Sequence, residues 1–293
     1  MVKLLHRLFL LAAICVAAGC RRSGPPRDPA SRQTVYQVKG VVREVNPPDN
    51  SLTIEHEDIP GFMPAMTMSF AVQNPTLLQE VAAGDRVKFQ LAVTETDSWI
   101  ASIVKIPGLT QPFTASAKSS DASALEPGQV VPNFTLTDQS GQTIQLLDYR
   151  GHVVVVTFIF TRCPLPNYCP LMSRNFSVLQ RELQHQFPGK VHLLSISFDP
   201  AHDTPAVLKE YAENLGVDPK IWTFATGTRA QIKSIAALFG LTYEMQGGSI
   251  THNLRTALIN PNGRLEHVWK SNAWQPAEVT SMIQGILSAP AGG

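Results

Sequence analysis

From residue 34 onward, apolar and β-branched positions alternate with polar ones in short runs, and the period changes once along the chain. Residues 38–45, 51–56, 66–72, 86–93 and 98–106 alternate with a period near two, which predicts strands with one buried face. Turn-forming stretches separate them: Pro47-Pro48-Asp49-Asn50, Pro60-Gly61, Ala83-Gly84-Asp85 and Glu95-Thr96-Asp97. Five short strands within residues 34–106 predict a small, closed all-β barrel of the OB type.

The second half reads as α/β. Residues 153–160 form a continuous apolar run, as expected of a central strand buried on both faces, and 192–198 form a second. Shorter strands are expected at 134–137, 143–146, 256–259 and 265–269, the last two joined by Pro261-Asn262-Gly263. Helices are expected at 170–184, 204–215, 230–239 and 277–287. Thr204 is placed to cap its helix with Pro205 in the first turn, and Pro170 has the same early position. This order predicts a thioredoxin-like domain over 130–288. Residues 107–129 are rich in Ser, Ala, Gly and Pro and read as a linker, so the two domains are expected to move relative to one another.

The first 33 residues change the picture of where the chain resides. Lys3 and Arg7 precede an apolar run at 8–16, and Ala17-Ala18-Gly19-Cys20 follows. This resembles a lipoprotein-type signal peptide over 1–20, with lipidation of Cys20; plain secretion with cleavage near Gly19 is the alternative. The run is shorter than the ~20 residues needed to span a bilayer. Residues 21–33 are polar and Pro-rich, a tether. The expectation is an exported protein, anchored by lipid on the periplasmic side of a bacterial membrane. A net charge of +1 and 16% charged residues indicate no nucleic-acid partner.

Of four cysteines, Cys15 leaves with the signal peptide and Cys20 takes the lipid, so Cys163 and Cys169 remain in folded structure. They follow the central strand in TFIFTRCPLPNYCP, at a strand carboxyl end where α/β sheets bind ligands. Pro164, Pro166 and Pro170 keep the first cysteine in a loop and the second at a helix start. There the helix dipole is expected to make thiolate accessible near neutral pH. A structural disulfide, a thiol-disulfide redox pair and a soft-metal site for Cu(I) or Zn all remain open on these residues. A peroxiredoxin does not fit, because Phe160 stands where that chemistry requires Thr or Ser. In the first domain, Met66 and Met68 are two apart on a strand and share a face, and His56 ends the preceding strand. Thioethers with an imidazole suit Cu(I) or Ag(I), although methionines also serve as core filler. His152, His185, His192, His202 and His267 show no partner pattern, and Trp99 reads as packing.

Two resemblances narrow these alternatives. VPNFTLTDQSG, VTFIFTRCP…CP, SISFDPAHDTPAVLKEYA and ITHNLRTALINPNGRL resemble the Sco/SenC family of copper-binding thioredoxin-like proteins. That resemblance implies copper held by Cys163, Cys169 and His252, the last in a loop before the strand at 256–259, with Asp199-Pro200 nearby. The family usually has three residues between its cysteines, whereas this chain has the five of PLPNY. GVVREVNPPDNSLTIEHEDIPG and PAMTMSF resemble the CusF-like copper-binding domain, implying His56, Met66 and Met68 as ligands. Where that family often has a Trp over the metal, Met63 stands here as a further thioether candidate. Together they imply a copper chaperone rather than an enzyme. Its expected partner is the CuA centre of a cytochrome oxidase subunit, or another periplasmic copper protein. The alternative is a thiol-disulfide oxidoreductase acting through Cys163 and Cys169.

Overall fold

The computed structural model describes residues 33–107, 124–246 and 249–289. The signal-peptide and tether expectations, Cys20 and most of the linker lie outside the described residues.

The first sheet contains β1 (Thr34–Asn46), β2 (Ser51–His56), β3 (Met66–Ala71), β4 (Arg86–Val93) and β5 (Ser98–Lys105). Its order is β3-β2-β1-β4-β5, every neighbouring pair antiparallel. The edge strands meet at one parallel bridge, Val72 to Ile100, rather than along a ladder. The alternation places Val38, Val42, Leu52, Ile54, Met68, Phe70, Val87, Phe89, Leu91 and Ile100 in its core.

The second sheet is built from β6 (Thr135–Asp138), β7 (Thr143–Gln145), β8 (Val153–Ile159), β9 (Val191–Ser197), β10 (Trp222–Thr226), β13 (Thr256–Ile259) and β14 (Leu265–Trp269). Its order is β14-β13-β8-β9-β10-β6-β7. β8, β9 and β10 are parallel, and every residue of these three strands is buried. That double burial is why β8 reads VVVVTFI with no polar alternation. The helices are α1 (Cys169–Gln186), α2 (Pro205–Leu215), α3 (Arg229–Leu238) and α4 (Pro276–Ser288). The Thr204 hydroxyl accepts from the Val207 amide, as its cap position predicts, and Gly216 closes the helix in the left-handed conformation.

Two features depart from the sequence reading. β10 was not anticipated, nor was the antiparallel pair of β11 (Tyr243–Gln246) and β12 (Ser249–His252). His252 is therefore the last residue of a strand, not a loop residue. The two domains, expected to move relative to one another, are in contact here. Leu165, Tyr168 and Leu254 of the α/β domain are buried within the apolar core of the first sheet, and β12 lies against β3. Among the described residues no helix is long and apolar enough to cross a membrane.

Candidate metal centre

In the first domain, strand register assembles the site. His56 lies directly opposite Met66, and Ile54 opposite Met68, so His56, Met66 and Met68 project from one face. His56 is 2% exposed. Its Nδ1 lies 2.7 Å from the Glu57 carbonyl, to which it donates, leaving Nε2 unprotonated. Nε2 is buried without a hydrogen-bond partner. Burial holds the imidazole below its usual titration range, so it is neutral at pH 7. An unpaired, neutral imidazole nitrogen beside thioethers is a donor set that fits a soft monovalent ion. Met63 and Met68 are buried in the same apolar cluster, and Met66 is half-buried against it.

Gly40 pairs with His56 on the other side of β2. A Cβ there would stand 2.6 Å from both the Glu55 carbonyl oxygen and Ile54 Cγ2, so only glycine permits this approach. The sequence reading missed this residue; an isolated glycine inside an alternating strand was the available signal.

In the second domain, Cys163 lies in the loop after β8 and Cys169 is the first residue of α1. Both are free thiols. Burial pushes Cys163 upward, but hydrogen bonds from Cys169 and His252, and the charge of His252, outweigh it and bring it down to about 5. Cys169 is pushed up, first by burial, then by its hydrogen bond to Cys163 and the negative charge there. This reverses the expectation from helix position: the accessible thiolate is the loop cysteine, because complete burial and a charged neighbour overcome the helix dipole at Cys169.

The His252 ring sits among Phe198, Phe160 and Tyr168, with centroids at 4.8, 5.6 and 6.2 Å. Its Nδ1 lies 2.8 Å from the Asn253 carbonyl, the same next-residue arrangement that orients His56. Cys163, Cys169 and His252 are thus brought together around Cys163. Among the described residues, however, no three His, Cys, Asp or Glu side chains stand close enough to hold a metal ion as placed.

Supporting residues fix the loop. Asp203 is fully buried; it accepts from the Thr161 amide at 3.0 Å and from the Thr161 and Ser197 hydroxyls, each at 2.5 Å. Arg162 donates to Asp199 at 2.5 Å, placing Asp199 one residue's reach from Cys163. His192, by contrast, is a core residue, stacked on Tyr149 and 2.9 Å from the Thr223 hydroxyl.

A cavity of 190 Å³ between the domains is lined by Phe62, Pro64 and Met66 on one side and Phe160, Arg162, Pro164 and Ile250 on the other.

Residues 122–288 match the family described as SCO1/SenC. The chain belongs to the SCO1/SenC family. Residues 35–105 match the copper-binding periplasmic protein CusF, so the SCO1/SenC domain follows a CusF-like one. Copper is the metal these matches assign to the chain. The SCO2-like protein of Rickettsia typhi is 34% identical over 138 residues, 45% of this chain; the match spans 65% of the Rickettsia protein's length. The SCO1 protein homolog of Bacillus subtilis is 30% identical over 139 residues, covering 46% of this chain and 70% of that protein. A SCO1/SenC family lipoprotein of Bacillus anthracis superposes with a TM-score of 0.51 at 24% identity, covering 56% of this chain and 99% of that one. This likeness supports the thioredoxin-like fold of the second domain.

Proposed function

We infer that the chain is a two-site copper carrier. His56, Met66 and Met68, with Met63 beside them, take up Cu(I), and the ion passes to Cys163, Cys169 and His252. The observation that carries this reading is the shared cavity, on which Met66 opens from one side and the loop flanking Cys163 from the other. Neutral His56 with its free nitrogen needs no proton release to accept an ion. The thiolate of Cys163 is the stronger soft donor, so transfer runs from thioether to thiolate. Closing the second trio on the ion requires side chains around Cys163 to rearrange. The cargo then goes to a partner on the periplasmic side, the CuA centre of a cytochrome oxidase subunit, while lipid at Cys20 holds the carrier at the membrane.

The test is copper stoichiometry of the purified chain. Two Cu(I) per chain are expected, falling to one in Cys163→Ser with Cys169→Ser and to one in His56→Ala with Met66→Ala. Full stoichiometry in either double variant refutes that site. The depressed Cys163 thiol beside a free Cys169 also suits a thiol-disulfide oxidoreductase. Disulfide exchange that persists at the same rate with copper bound would favour that second reading.

A further inference from the structure

The five residues between the cysteines, Pro164 to Tyr168, reach into the first domain. Leu165 is fully buried and belongs to the apolar core of the first sheet. Asn167 is 5% exposed and satisfied across the boundary: it accepts from the Ser98 hydroxyl at 2.6 Å and donates to the Ser98 carbonyl at 3.0 Å. The Tyr168 hydroxyl donates to the Ser69 carbonyl on β3. Arg174, one turn into α1, braces the segment by donating to the Pro166 carbonyl at 2.8 Å and to the Thr96 carbonyl at 3.3 Å. Asn272 holds the Asn167 carbonyl from behind at 2.7 Å. Buried polar groups that find their partners only across a domain boundary specify one docked geometry, because separation without water would leave them unpaired.

We propose that the Pro164–Tyr168 segment is a docking plug that seats the CusF-like domain as a cap on the cysteine pair. Both ends of the plug are the cysteines themselves. In the docked state Cys169 is buried and Cys163 only partly exposed, and its neighbours Arg162 and Pro164 line the interdomain cavity with Met66. Undocking, which withdraws Leu165 and breaks the Asn167–Ser98 and Tyr168–Ser69 bonds, exposes the site for delivery. The plug and the carrier function meet in this sequence of states, so the purpose of the cap rests on the transfer reading. The cap itself does not.

The experiment uses the full chain, reduced and free of metal, with iodoacetamide as the probe and mass spectrometry to follow alkylation of Cys163. Asn167→Ala is expected to speed alkylation about ten-fold, the scale of a lost buried hydrogen-bonding group. Ser98→Ala, on the opposite domain, should speed it in the same direction. The double variant should be no faster than Asn167→Ala, because both act through one contact. Tyr168→Phe, which removes one hydroxyl without changing shape, is the milder second variant and should raise the rate and the radius of gyration in solution scattering together. Unchanged rates in all variants, or a double variant whose effect is the product of the singles, overturns the plug. Because no metal is present, this outcome is separate from copper stoichiometry of the unaltered chain, which alone decides the carrier reading.

Discussion

Replacing His252 with Ala should raise the titration midpoint of Cys163 by one to two pH units. In the intact chain Cys163 falls from an ordinary 9.0 to about 5. At about 1.4 kcal/mol per pH unit, that fall corresponds to roughly 5 kcal/mol in favour of the thiolate. Burial opposes it, so the hydrogen bonds from Cys169 and His252 and the charge of His252 must supply all of this and more. A hydrogen bond to a charged group contributes about 1.5–3 kcal/mol, so losing His252 should move the midpoint to roughly 6–7. Thiolate absorbance in the far ultraviolet, followed against pH in the reduced apo chain, reads the midpoint directly. The sign carries over to stability. Because the folded value is depressed, the thiolate contribution is complete above 9.0 and drains away as pH falls toward about 5. Urea midpoints should therefore rise from pH 5 upward in the intact chain, and only from about pH 6–7 in the variant. Cys169, raised, works the other way only above its ordinary 9.0. A Cys163 midpoint that stays at about 5 in His252→Ala would refute the reasoning, since His252 would then contribute nothing to the thiolate.

Three further outcomes follow from the same geometry. His56→Leu should abolish Cu(I) binding by the first domain yet leave the apo chain as stable or up to about 1 kcal/mol more stable in urea, because it removes a buried unpaired nitrogen. Gly40→Ala should destabilise the first sheet by about 1–3 kcal/mol and weaken Cu(I) binding with no ligand altered, since the added Cβ strikes β2 beside His56; equal affinity in a competition titration would count against this. Asp203→Ala should cost about 3 kcal/mol in urea denaturation, because it strands the Thr161 amide and two hydroxyls around the Cys163 loop.

Periodicity alone was enough for most elements. β2, β4, β13 and β14 and the cap of α2 fall where alternation, turn residues and Thr204-Pro205 place them. Local signals suffice there because each strand buries one face or both, and burial shows in the order of side chains. β10 escaped because a five-residue run interrupted by Thr223 and Thr226 is too short for its period to be read. The β11–β12 pair, two strands of four residues each, also escaped, and with it the strand position of His252.

Candidate donors could be named from the chain, since sulfur and imidazole carry their chemistry in their identity, and the resemblance supplied the distant His252 as a candidate. The tertiary structure decided what those donors face. Which cysteine is the thiolate depends on burial and on a histidine 89 positions away, neither visible in the helix-start signal at Cys169. That the spacer Pro164–Tyr168 enters the other domain's core, and that Met66 and the Cys163 loop share one cavity, depends on a docking geometry between surfaces far apart in sequence. Side-chain order along a chain records which residues are buried; it does not record against what, and here that second fact brings Met66 and the Cys163 loop to one cavity.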